Sequence, residues 1–440
     1  MNISNKSFAP IIILIAVLFV VGIGGYVYFQ SQDSSIVSKT TTISDNVVDA
    51  NNQFGLDLYD RYSATKGKDE NIFFSPFSIS SVMAMAYEGA KWKTAKEIQS
   101  VFHFPEDVQV LREGYQSIYD NINNKENKEE WYKLNVANAL WVQSDYKLLD
   151  DYLAIVQQYY NGKAANVDFI NSTEETRQTI NEWVANKTND KIQDLIPSGS
   201  LNDSNDLTRL VLTNAIYFKG IWENKFSESL TEEKDFNITL LLKTKAQMMN
   251  QVDHYGHAKL NSIQLLELPY MSYSDERLSM LIILPNKNDI ISVENKLNMQ
   301  TLYEWVSKLE MHKVNVSLPK FKIETTENLN NDLKAIGMTT AFSSLLADFS
   351  RMTDTEKLYI DKVLHKAFIE NEEGGTEATA VTAIIMDNPV GISRREPPEK
   401  IYKFIADHPF IFLILQKTEE NKDNNELGNI LFMGRVSDPF

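Results

Sequence analysis

Residues 370–410 read ENEEGGTEATAVTAIIMDNPVGISRREPPEKIYKFIADHPF, and this stretch decides the fold. Written as a strand from Thr376, one face holds Thr376, Ala378, Ala380, Thr382 and Ile384. The other holds Glu377, Thr379, Val381, Ala383 and Ile385. The first face is small and uncharged, so it can slide between two strands and over a packed core. The only charge lies on the second face. Gly374 and Gly375 precede the run and supply backbone freedom for a pivot. Asp387, Asn388, Pro389, Gly391 and Pro397–Pro398 then forbid regular structure. On its residues alone the segment has two readings. It is a strand able to enter a sheet, or an edge strand leading into a long surface loop.

Working outward, the flanking chain is strand-rich. LTRLVLTNAIYF, LLELPY, LSMLIILP and HKVNVSLPKF precede the stretch, and IFLILQ and ILFMGRV follow it. Helical patterning dominates earlier. Val47, Phe54, Leu58 and Tyr62 sit at helix-compatible spacings, Pro76 opens a helix through Val82 and Met85, and residues 150–160 and 174–187 read as helices. Helices first and strands later predict an α+β protein with large, mainly antiparallel sheets.

The N-terminus is separate in character. Ala9–Phe29 is an uncharged apolar run that spans roughly 30 Å as a helix, enough for a bilayer core. It ends in YVYFQSQ, a poor cleavage site, so the expectation is an uncleaved anchor over 9–29 after a short cytoplasmic stretch, 1–8. Lys6 precedes the run, and Lys39 is the next basic residue, which favours the body outside the membrane. Cleavage of this segment would instead give a secreted protein. Residues 30–43 read as a flexible tether, leaving 44–440 as the folded domain.

Net charge is −17; Lys6, Lys39 and Asp33 are the charges of the first 43 residues, so the body carries −18. So acidic a body repels nucleic acid. The chain has no cysteine, which excludes disulfides, thiolate nucleophiles and Cys-based zinc sites. Six histidines, His103, His254, His257, His312, His365 and His408, form no HExxH, and there is no GxSxG, GxGxxG or P-loop. His254 and His257 lack an obvious third ligand. No metal, cofactor or catalytic residue is expected, and a surface hydrolase has no motif behind it.

Further motifs fall in order along the chain: FFSPFSIS (73–80), TNAIYFKGIWENKF (213–226) followed by Thr231 and Phe236, LELPY (266–270), LPKF (318–321), VLHKAFIENEEGGTEA (363–378), FIADHPFIFLI (404–414) and LFMGRVSDP (431–439). Together they make residues 44–440 strongly resemble the serpin family. The resemblance implies three β-sheets, about eight or nine helices and an exposed reactive loop. It implies a monomer that inhibits serine proteases without being an enzyme. The partner is a trypsin-like or subtilisin-like serine protease, or a cysteine protease. A protease attacks the loop, an acyl-enzyme forms, and the freed hinge inserts as a new central strand before water can release the enzyme. The alternative within the family is a non-inhibitory carrier or chaperone-like protein.

The resemblance also assigns residues. Glu373, Gly374, Gly375, Thr376, Glu377, Ala378, Thr379, Ala380, Val381 and Thr382 match the loop hinge, with Val381 a little larger than usual. Ser75, Ser78, Asn181 and His365 match the polar shutter beneath the main sheet. Trp222, Lys320 and Glu373 match the breach at its top. Counting Glu373 as first, the usual scissile position lands on Pro389, a poor site for most proteases. Counting back from Phe404 points to Arg394 or Arg395, and Met386 is a further candidate. The two counts disagree because this loop is several residues longer than most.

Overall fold

The computed structural model describes residues 43–123, 131–201, 208–272, 277–354, 357–376, 399–417 and 426–440. The expected anchor and tether lie outside the described residues. So do hinge positions Glu377 to Thr382 and the scissile candidates Met386, Pro389, Arg394 and Arg395. Among the described residues no helix is long and apolar enough to cross a membrane.

The described residues form nine α-helices and two hydrogen-bonded sheets. The six-stranded sheet carries the candidate site. Its order is Phe321–Asn328, Lys362–Glu372, Gly375–Thr376, Leu210–Ile221, Tyr132–Gln143 and Lys163–Val167. Lys362–Phe368 also pairs directly, in parallel, with Val211–Tyr217. The two-residue strand Gly375–Thr376 is therefore a wedge at one end of that pair. The nine-stranded sheet contains Thr244–Lys259, which pairs with Glu310–Pro319 along one stretch and with Ile263–Pro269 at its C-terminal end. Sharing this strand joins the two pairings into one sheet.

Alternation along the central strands sets up the two faces of the six-stranded sheet. Leu210, Leu212, Ile216 and Phe218 face the main core with Val363, Ala367 and Ile369. Val211, Ala215 and Tyr217, with Leu364 and Phe368, pack on the other side against Ile180 and Val184. Those two come from helix Thr173–Lys187.

Helix Pro76–Gly89 runs through the main core and is buried along nearly its whole length. Its start follows from local chemistry. Pro76 has the backbone angle a first helical residue needs, and the Ser75 side chain accepts a hydrogen bond from the Ser78 amide at 3.1 Å. Beyond the cap, a helix buried on all sides must satisfy its polar side chains internally. Ser80 and Ser81 do so with the hydroxyls of Tyr115 (2.6 Å) and Tyr119 (2.7 Å).

Candidate functional site: the opening of the six-stranded sheet

The register aligns Asn138, Asn214 and His365 in one row across three neighbouring strands, all on the core side. His365 bonds through Nδ1 to Asn214 Oδ1. Its Nε2 accepts from the Ser75 amide at 3.3 Å. That pattern fixes a neutral ring with its proton on Nδ1. Complete burial drives the His365 pKa down from 6.5 to about 3. Asn214 Nδ2 donates to Ser78 Oγ and Asn138 Oδ1, and Asn138 Nδ2 donates to the Ser78 carbonyl at 3.3 Å. Ser75 Oγ donates to the Leu431 carbonyl at 2.6 Å.

The network thus ties helix Pro76–Gly89 and its cap to strands Leu210–Ile221 and Lys362–Glu372. It contains three of the four shutter residues named from sequence. Asn181 is not among them. It stands on helix Thr173–Lys187 and makes a reciprocal pair of 2.9 Å bonds with the Ile196 backbone, pinning the segment after the helix. Asn138 and Asn214 occupy the place given to it. Their signal was present as a lone asparagine inside each of two apolar strand runs, VANALWV and LVLTNAIYF. A buried amide in such a strand requires partners on the neighbouring strands.

At the wedge, Gly375 pairs with Glu372 and Ile221, and Thr376 with Asn371 and Gly220. Gly375 has φ +145°, and a Cβ there would stand 2.1 Å from the Gly220 carbonyl oxygen. Both the backbone angle and the close approach require glycine. Thr376 is fully buried, its hydroxyl 2.7 Å from Tyr270 Oη. Tyr270 stacks on Trp222 with ring centroids 4.4 Å apart. Trp222 in turn donates from Nε1 to the Glu372 carbonyl at 3.1 Å, and its amide donates to the Gly374 carbonyl at 3.1 Å.

Glu373 accepts from Lys320 Nζ at 2.9 Å and from Thr231 Oγ1 at 2.8 Å. Burial alone raises this carboxyl's pKa; the bonds from Lys320, the backbone and Thr231 outweigh it and hold the group below the usual range. Trp222, Lys320 and Glu373 thus converge around the first two hinge residues.

Elsewhere, His257 is buried, and burial lowers its pKa. Its ring lies 5.7 Å from that of His312. His254 Nε2 lies 2.9 Å from Glu399. Among the described residues no group of three or more metal-ligating side chains occurs.

In this fold a two-residue strand is wedged between Lys362–Glu372 and Leu210–Ile221, which pair directly with each other beyond it. The serpin (serine protease inhibitor) family model matches residues 49–439. An uncharacterized serpin-like protein of Thermococcus kodakarensis is 40% identical over 89% of this chain and 86% of its own length. The human leukocyte elastase inhibitor is 37% identical over 89% of this chain and 98% of its own. The crystal structure of Serpin48, a highly specific serpin of the insect Tenebrio molitor, superposes with a TM-score of 0.74 at 30% identity, covering 89% of this chain and 98% of that one. The chain belongs to the serpin family.

Proposed function

We propose that this serpin inhibits serine proteases by inserting its reactive loop into the six-stranded sheet. The observation that carries the reading is the wedge. Gly375 and Thr376 already pair on both sides at one end, while the two strands below them pair directly with each other. Extending the wedge continues a geometry already begun. Each further residue replaces direct parallel pairing with two antiparallel ladders. The small face of Thr376, Ala378, Ala380 and Thr382 suits the interior into which it would slide. The name of the human relative, leukocyte elastase inhibitor, supports the same reading.

Incubation with trypsin and with subtilisin tests it. A complex that survives boiling in detergent is the expected product; clean loop cleavage without any such complex overturns inhibition and leaves a binding role. Within this proposal residues 9–29 hold the domain at a membrane facing outward. Retention of the chain in the membrane fraction after alkaline extraction checks that point, and release into the supernatant rejects it.

A further inference from the structure

A cleft of about 490 Å³ opens where the six-stranded sheet ends, away from the wedge. Its position follows from the register. Strand Lys163–Val167 pairs with Tyr132–Gln143 only from Ala139 onward, so that pairing leaves the earlier half of the longer strand uncovered. Val136 and Asn138 line the cleft on this half, Leu153 and Val156 of helix Asp150–Tyr160 give it an apolar wall, and Trp183 and Lys187 of helix Thr173–Lys187 close the far side with Lys163.

The charge pattern in the cleft is unusual for this chain. The molecule carries −17, yet the charged lining residues are two lysines. Among the described residues neither Lys163 nor Lys187 has a carboxylate within ion-pair distance. The Lys163 ammonium instead lies over two indoles, 4.7 Å from the Trp141 ring centroid and 5.4 Å from that of Trp183. An ammonium on aromatic faces is attracted there yet gains no neutralising charge. Burial, and then the like charge of Lys187, hold Lys163 below its ordinary pKa. Two cations beside a half-apolar cavity within the roughly 300–1,000 Å³ of small-molecule sites call for an anion on an apolar body.

We infer that this cleft binds a small amphipathic carboxylate, its acid group between Lys163 and Lys187 and its apolar body against Trp183, Leu153 and Val156. Carboxylate and ammonium pair by charge-assisted hydrogen bonds, and a planar body stacks on the indole. None of its lining residues belongs to the wedge, and its occupancy does not depend on whether the protein inhibits proteases.

Calorimetric titration of the full chain with 1-naphthylacetate, alongside neutral 1-naphthylacetamide, tests the assignment. The carboxylate is expected to bind at one saturable site and to quench tryptophan fluorescence. The amide, which keeps the shape and loses the charge, is expected to bind at least about tenfold more weakly, the factor for 1.4 kcal/mol. Lys163→Gln combined with Lys187→Gln should remove the difference between the two probes, whereas Lys287→Gln, outside the cleft, should leave it intact. Trp183→Leu should weaken both probes. Equal affinity of acid and amide, discrimination that survives the double lysine change, or no saturable binding by either probe overturns the inference. An unaltered far-ultraviolet spectrum and unfolding midpoint in each variant separate loss of the site from loss of the fold.

Discussion

At the scale of single residues, His365 is a group whose titration is strongly shifted by its surroundings. Its ring is neutral and enclosed, with a folded pKa of about 3 against an ordinary 6.5. Below pH 6.5 the unfolded chain takes up a proton that the folded chain refuses. This group's contribution is therefore intact above pH 6.5, is lost as pH falls, and levels off below about 3. The slope approaches about 1.4 kcal/mol per pH unit within that window. Unfolding midpoints at pH 7, 5.5 and 4.5 should fall more steeply for the native sequence than for His365→Gln; parallel curves would sink the assignment.

Arg435 supplies a second prediction. It pairs with Glu294 at 2.8 Å, and their side chains are only 1% and 7% exposed. Arg435→Met leaves Glu294 buried without its cation, a loss of about 3–5 kcal/mol measurable by denaturant titration. Replacing both residues with apolar ones should recover much of it.

At the scale of elements, the proposed insertion gives the hinge strand and the loop that follows it the deciding part in a protease encounter. Thr376 enters a fully buried slot against Tyr270. Thr376→Arg should expel the wedge, because an arginine there loses water without gaining a partner. Gel densitometry should then show the loop still cleaved and the trapped complex nearly gone. Loop length gives the opposite test. If Arg394 is cut, the five residues beyond Pro389 add roughly 16 Å of slack between hinge and protease. Deleting Val390 to Ser393 should raise the fraction of protease trapped; an unchanged yield would refute the role of slack.

These elements were unequally legible in the sequence. The need for glycine at 375 was legible because a glycine pair before a run of small residues is a local property, and Gly375 takes φ +145°. The start of helix Pro76–Gly89 was readable from Ser75–Pro76 for the same reason. The shutter was only half readable, because its membership depends on register between strands far apart in sequence. Asn138, Asn214 and His365 meet only through pairing. Asn181 carries the same amide on a helix, and nothing local distinguishes an amide that bonds a following loop from one that bonds across a sheet. The double pairing of Thr244–Lys259 was likewise invisible, since it too depends on register between distant strands.

At the scale of the whole molecule, the uncleaved fold keeps its main sheet closed below the wedge. A nick in the loop should let the hinge strand enter, satisfying new backbone pairs and burying a further apolar face. A gain of several kcal/mol corresponds to roughly 5 °C in the unfolding midpoint of a domain this size. Calorimetry before and after limited proteolysis checks this, and identical midpoints would remove the energetic basis for trapping. With no cysteine in the chain, no disulfide opposes the motion, so reducing agent should change neither midpoint.

The direct pairing below the wedge runs from Phe368–Tyr217 down to Lys362–Val211, and the His365–Asn214 bond is its fourth rung from the top. In the proposed insertion a hinge advancing from Thr376 would unzip three rungs, the first also carrying a ring contact between Tyr217 and Phe368, before it met the one clamped by a side-chain hydrogen bond between the two strands. On the proposed mechanism entry would be a sprint with a turnstile early on the course. The time spent there would compete with the water that frees the protease, so the strength of one imidazole–amide contact would set the clock for capture or escape.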